Sequence, residues 1–118
     1  MYYRELKVWQ KSMDLVIETY QIVRKLPREE LYALSNQMRR SAVSVPSNIA
    51  EGAGRKSTRE YIHFLKIARG SLSELETQLL ICCRLNYIRS EDIQNIMLLS
   101  AEIGKMINAI LFKLSPED

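Results

Sequence analysis

Residues 57–86 read STREYIHFLKIARGSLSELETQLLICCRLN, and this stretch decides the fold. Tyr61, Phe64, Leu65, Ala68, Leu72, Leu75, Leu79 and then Cys82 or Cys83 recur every three or four positions, the period of a helix with one buried face. Ser57-Thr58-Arg59-Glu60 is a capping-box pattern in which each end of the motif satisfies an orphan N–H of the other. Gly52 and Gly54 release the chain just upstream. A helix over about residues 58–86 is therefore expected, the longest element of the chain.

Working outward, the same period continues on both sides. Upstream, Leu31, Leu34, Met38, Ala42, Val45 and Ile49 form a stripe over residues 29–53 that begins with Glu29 and Glu30, acids suited to a helix N-terminus. Pro46 interrupts that stripe, yet the spacing stays in phase from Val45 to Ile49, so a kink is expected rather than a break. Before it, residues 4–25 place Leu6, Trp9, Met13, Val16, Ile17, Tyr20 and Val23 on one stripe, ended by Leu26-Pro27. Downstream, Ser90 as cap and Glu91-Asp92 in the first turn open a fourth helix over 91–114, with Ile93, Ile96, Met97, Ser100, Ile103, Ile107, Ile110 and Leu114 inward and a frayed tail over 115–118. Short links between four long helices predict an all-α, antiparallel up-down-up-down four-helix bundle, one domain over residues 1–118.

The 118 residues are 47% hydrophobic, enough for one core. There is no run of about 18 uninterrupted apolar residues and no signal-peptide core behind Arg4, Glu5 and Lys7, so a cytoplasmic protein without membrane partners is expected. Net charge is +3, but it is unevenly spread. Residues 39–69 hold seven Lys/Arg against two Asp/Glu, whereas residues 70–118 hold four against seven. The basic middle suits a phosphate-bearing partner.

Catalytic and metal chemistry find little support. Gly52-Ala53-Gly54-Arg55-Lys56-Ser57-Thr58 has the flavour of a phosphate loop, but Arg55 stands where glycine should precede the lysine and a helix, not a strand, leads into it. His63 is the only histidine and has no cluster of ligands around it, so no metal site is expected. Cys82 and Cys83 are adjacent within a helical pattern, where a disulfide would be strained, and they read as reduced packing residues. Glu74 and Glu76 point to different sides of their helix. No enzyme and no cofactor is expected.

Cations remain. Arg59, Lys66, Arg69 and Arg84 lie within about 80° of one another around the third helix, and Arg39, Arg40, Arg55 and Lys56 can join them. Such a row tracks a phosphate backbone without reading bases; the bland alternative is a solvated charged face. Apolar residues also fall outside the core stripes: Ile67, Gly70 and Ile81 on the third helix, Leu98, Leu99, Met106 and Phe112 on the fourth. Their grouping points to self-association.

Several stretches together are similar to a known family. Leu6-Lys7-Val8-Trp9-Gln10, the run Leu26 to Leu34, the run Gln37 to Gly52 with its Arg39-Arg40 pair and Ser44-Val45-Pro46-Ser47-Asn48-Ile49-Ala50-Glu51-Gly52, and Tyr61 to Leu75 resemble the bacterial four-helix-bundle proteins encoded in intervening sequences of 23S rRNA genes. The resemblance implies a left-handed antiparallel bundle and a ring-like homopentamer. It extends to a related branch, the accessory variability proteins of diversity-generating retroelements, whose basic pentameric barrels bind nucleic acid and a reverse transcriptase. Beside it, Arg40, Ser44, Asn48 and Glu51 are expected to form a polar network bracing Pro46. The expected function is a non-enzymatic homo-oligomer that binds RNA or DNA backbone. The alternative is a protein-interaction adaptor, for example for a reverse transcriptase.

Overall fold

A computed structural model describes residues 2–114. Four helices fill it: α1 (Lys7–Val23), α2 (Leu34–Ala53), α3 (Thr58–Arg84) and α4 (Gln94–Leu114); among the described residues there is no strand. α1 and α3 each pack against both α2 and α4, which closes a four-helix bundle about 47 Å long and 24 Å across. The 27 residues of α3 reach about 40 Å and set that length.

The helices are shorter than their apolar stripes because tight turns take their first residues. Tyr3–Glu5, Arg28–Glu30 and Ser90–Ile93 are 3-10 turns. The second helix therefore starts at Leu34 instead of residue 29, and Glu30, expected inside its first turn, caps it from upstream by accepting the Leu34 N–H at 3.3 Å. The fourth starts at Gln94; Arg89, not Ser90, stands at the head of the turn before it, with its N–H donated to Asp92 Oδ2 at 2.9 Å. Ser57 caps α3 as its pattern predicts, accepting the Glu60 N–H at 3.2 Å, but Glu60 turns its carboxylate towards Arg55 at 3.9 Å rather than closing the box. The expected third helix end shifts to Arg84. Asn86 there takes φ 63°, Asn86 N–H donates to Cys83 O and Tyr87 N–H to Cys82 O, a Schellman closure. α2 runs through Pro46 as one helix. The tail expected over 115–118 lies outside the described residues.

The stripes of α3 and α4 occupy the core as read, and so does that of α2 from Leu34 onward, but Leu31, expected inward, is 41% exposed in the turn before the helix. The expected stripe of α1 holds only in part: Val23 is buried and Leu6, Trp9 and Val16 pack against the core, but its other members do not. Val8, Leu15 and Ile22 face inward with Ser12 and Thr19, while Met13, Ile17 and Tyr20 are exposed, Ile17 at 58%. The hydroxyls of Ser12 and Thr19 donate to the carbonyls four residues back, Val8 at 2.7 Å and Leu15 at 2.8 Å, so both small residues sit in the core fully paired. α1 has two apolar faces, and the bulkier one points out. By length and composition, Ser90–Leu114 is also apolar enough to cross a membrane, although no uninterrupted apolar run announces it; its Ile96, Ile103 and Ile107 fill the bundle core.

The network around Pro46 forms with different members. Asn48 Nδ2 donates to Ser44 O and Oγ at 2.8 and 2.9 Å, and Ser71 of α3 donates to Ser44 Oγ at 2.8 Å. Glu51 instead pairs with Arg55, one turn on. The brace therefore ties α2 to α3.

Candidate nucleic-acid interface

The cations divide into three settings. Arg59, Lys66 and Arg84 are exposed along the outer face of α3, spanning about 37 Å of helix from first to last. Arg69 is exposed on the same helix but donates to Asn108 Oδ1 of α4 at 2.9 Å, which holds it at the α3–α4 seam. Arg55 is engaged by Glu51 and Glu60 and stacks over the Phe64 ring at 5.1 Å, leaving Lys56 as the freer charge of that turn. Arg39 lies over Tyr20 of α1, 5.8 Å from the ring centroid, and so faces away from the α3 row that the sequence groups it with. Among the described residues, none of the ion pairs involves Arg40, Lys56, Arg59, Lys66 or Arg84. Their charge is not neutralised locally, which is what an anion-binding surface requires.

Arg40 stands between two clefts. One, of about 370 Å³, is bounded by Tyr20, Asn36, Arg39, Val43 and Ser44 on the α1 side. The other, of about 740 Å³, opens along the α2–α3 seam between Asn36, Gln37 and Ser41 of α2 and Ser73, Glu74, Thr77, Gln78 and Ile81 of α3, with Tyr32 and Ala33 at its head. The Ser44–Ser71 hydrogen bond and the Met38–Cys82 contact set the register of the two helices, which brings Asn36 and Arg40 to the same cleft as Thr77 and Ile81. Gln78 Oε1 is buried without a hydrogen-bond partner among the described residues. Tyr32 is 90% exposed. Of these residues the sequence singled out Arg40 and Ile81 alone for binding; Tyr32 and Gln37 fall in the runs that carry the family resemblance without a role of their own, Asn36 and Gln78 belong to no motif, and only the packing of α2 on α3 gathers them.

The residues expected at a subunit interface also separate. Ile67 and Ile81 are exposed, Gly70 has open space where a side chain would be, and Leu98 is 70% exposed. Leu99 and Met106 are half-buried and pack against the core, because a helix between two neighbours buries more than one narrow stripe. Phe112 is exposed. A second apolar face, which the sequence did not single out, lies at the α1–α2 seam, where Met13, Ile17, Tyr20 and Val43 are exposed.

Reactive groups are held quiet. Burial, assisted by the neighbouring Cys83 thiol and Glu30, pushes the Cys82 thiol up to about 11, and its Sγ touches Met38 Sδ at 3.6 Å. Burial also raises the Cys83 thiol. Tyr87 OH donates to Glu30 Oε2 at 2.7 Å, a bond that stabilises the protonated phenol and raises its pKa. Among the described residues no three His, Cys, Asp or Glu side chains gather as a metal would need.

These features define a helical bundle with an unneutralised cationic side and a polar cleft beside it. The chain belongs to the 23S rRNA-intervening sequence protein family, whose model matches residues 4–109. It is similar to the crystal structure of a protein of unknown function from the S23 ribosomal protein family of Bacteroides thetaiotaomicron VPI-5482, with 30% identity and a TM-score of 0.81 over 88% of this chain and 97% of that one. Among curated proteins, none matches it.

Proposed function

We propose that this protein is a non-enzymatic, self-associating bundle that binds the phosphate backbone of RNA or DNA. One observation carries the reading: Arg40, Lys56, Arg59, Lys66 and Arg84 are exposed and unpaired with any described carboxylate. The finer architecture that accompanies it is an up-down-up-down bundle, supported by the short links and by the packing of each helix against its chain neighbours, with the left-handedness that the family resemblance implies and a bend at Pro46, a proline inside α2. Self-association draws support from two unlike apolar faces, Met13/Ile17/Tyr20/Val43 at the α1–α2 seam and Leu80/Leu98 towards α3–α4. Unlike faces that meet give head-to-tail interfaces, which close into a ring where the rotation between subunits closes and otherwise extend as a filament.

Binding of generic RNA and duplex DNA across a salt series tests the reading. Affinity should fall steeply with salt, and replacing Arg59 and Lys66 together by glutamine should flatten the log–log slope by roughly 0.9 for each phosphate no longer neutralised. No binding at low salt, or a slope indifferent to both substitutions, refutes it. A monomeric mass by light scattering at micromolar concentration refutes self-association.

A second reading, an adaptor for another protein, is favoured by the exposed α1 face, which the bundle core does not use. Pull-down from nuclease-treated lysate distinguishes it: a stable partner that no longer binds Ile17→Asp supports the adaptor.

A further inference from the structure

The outer side of α2 carries a site of its own: we propose that an unpaired nucleic-acid strand crosses this helix between Tyr20 and Tyr32, with a phosphate on Arg40 and bases stacked on the two flanking rings. This rests on the nucleic-acid reading above and adds to a surface that follows any backbone a site that only a single strand fills.

Two clefts meet on α2. Asn36 and Arg40, one turn apart and about 6 Å along the helix axis, line both of them and so form the ridge between the clefts. Each cleft has a tyrosine. Tyr20 of α1, 42% exposed, stands on one side, and Tyr32 of the link before α2, 90% exposed, on the other. Neither ring belongs to the core. The order across the helix is therefore aromatic, cation, aromatic, the arrangement by which proteins hold unpaired strands without reading their sequence.

The chemistry of each part fits that ligand. Arg40 is exposed and, like Arg39, forms no ion pair among the described residues, so its charge is free for a phosphate. Arg39 lies over the Tyr20 ring at 5.8 Å, so that side offers a guanidinium already layered on an aromatic face, and a base adds to the same stack. Among the described residues no cation or second ring stacks on Tyr32, which leaves its faces open. The Asn36 amide on the ridge both donates and accepts, which suits the edge of any base. Glu74, on the α3 wall of the larger cleft, repels phosphate and leaves the α2 ridge as its seat.

Pairing decides which strands fit. In a duplex the bases turn inward to the partner strand, so the duplex offers Arg40 its phosphates but shows neither tyrosine the face of a base. An unpaired strand splays successive bases to either side of the phosphate that joins them.

Fluorescence anisotropy on three labelled DNA dodecamers tests this: a mixed-sequence single strand, the same strand paired to its complement, and an abasic strand of equal length and charge. At one salt concentration the native chain should bind the single strand at least about fivefold tighter than the abasic strand, the contribution of one stacked base. Tyr32→Ala and Tyr20→Ala should each weaken single-strand binding about fivefold or more and leave duplex and abasic affinities unchanged, whereas Tyr32→Phe, which keeps the ring, should bind as the native chain does. Arg40→Gln should weaken the single strand and the abasic strand alike. Equal affinity for those two strands, or single-strand affinity unmoved by Tyr32→Ala in a variant with native circular dichroism, overturns the stacking site, while salt-dependent duplex binding leaves the backbone reading standing. Failure to bind any of the three at low salt overturns both.

Discussion

Replacing Gly52 by alanine should destabilise the protein, against the usual rule for a glycine inside a helix. In a solvent-exposed helix interior Gly→Ala gains about 0.8–1 kcal/mol of helix propensity. Gly52 is buried where the end of α2 passes the start of α3, and a methyl group there would meet Phe64 Cβ and Tyr61 Cδ1, each at 2.9 Å, and Tyr61 O at 3.3 Å. Tyr61 can swing its ring, but Phe64 Cβ and the Tyr61 carbonyl are fixed to the α3 backbone, so the helices must separate by some tenths of an ångström. Overpacking of this kind costs about 1–3 kcal/mol. The net loss is about 1 kcal/mol, a fall in Tm of about 4 °C for a chain of this length. Gly70 supplies the control, since nothing lies within 4 Å of the position its Cβ would take, and Gly70→Ala should gain about 0.8–1 kcal/mol. Paired denaturant titrations at fixed protein concentration should therefore place the two variants about 2 kcal/mol apart. If Gly52→Ala equals or exceeds the native chain in stability, the close approach of α2 and α3 is not as described.

Three further outcomes follow from the same geometry. Leu15→Ala should cost about 2–5 kcal/mol because Leu15 is fully buried, whereas Ile17→Ala should stay within about 0.5 kcal/mol for the monomer; comparable losses by urea melts would contradict the orientation of α1. The Asp92 carboxylate is held below the usual carboxylate range, first by the Arg89 N–H and then by Lys25 at 3.3 Å, so its contribution is full above the ordinary value of about 4 and lost as pH falls through the lower folded value. The stability gap between the native chain and Asp92→Asn should accordingly be present at pH 7 and shrink at acid pH, and a gap that widens on acidification would be incompatible with this account. Cys82 should resist a thiol reagent at neutral pH until the chain unfolds, because burial keeps it protonated; prompt modification of the Cys83→Ser variant under native conditions would refute that.

All four helices were readable in the sequence from their apolar period. The buried face of α1 was legible only in part, and the reason is physical. Its larger apolar residues, Met13, Ile17 and Tyr20, form a better stripe by bulk than Val8, Ser12, Leu15, Thr19 and Ile22. A hydroxyl that returns to the carbonyl four residues back behaves as a core residue, and polarity alone conceals it. Helix starts slipped for a related reason: Glu30 caps α2 from the turn before it, Asp92 closes on Arg89 within the turn before α4, and a helical period does not distinguish a turn from the helix it introduces. Lys66 and Arg84 were legible as exposed cations on one helix, where angular position follows from numbering. The α2–α3 cleft was not, since Asn36 and Gln78 meet only through tertiary packing and neither belongs to a motif.

The tight seam at Gly52 bears on how quickly this chain finds its structure. α2 and α3 share the most extensive helix pairing in the molecule, yet only residues 54–57 separate them. Closing so short a loop loses little chain entropy, and a pairing that is both close in sequence and extensive is the natural nucleus of a fast, low-contact-order reaction. The hairpin of α2 and α3 would form first and present a template on which α1 and α4 condense. Crowding at Gly52 would then register as slower folding, not only as faster unfolding.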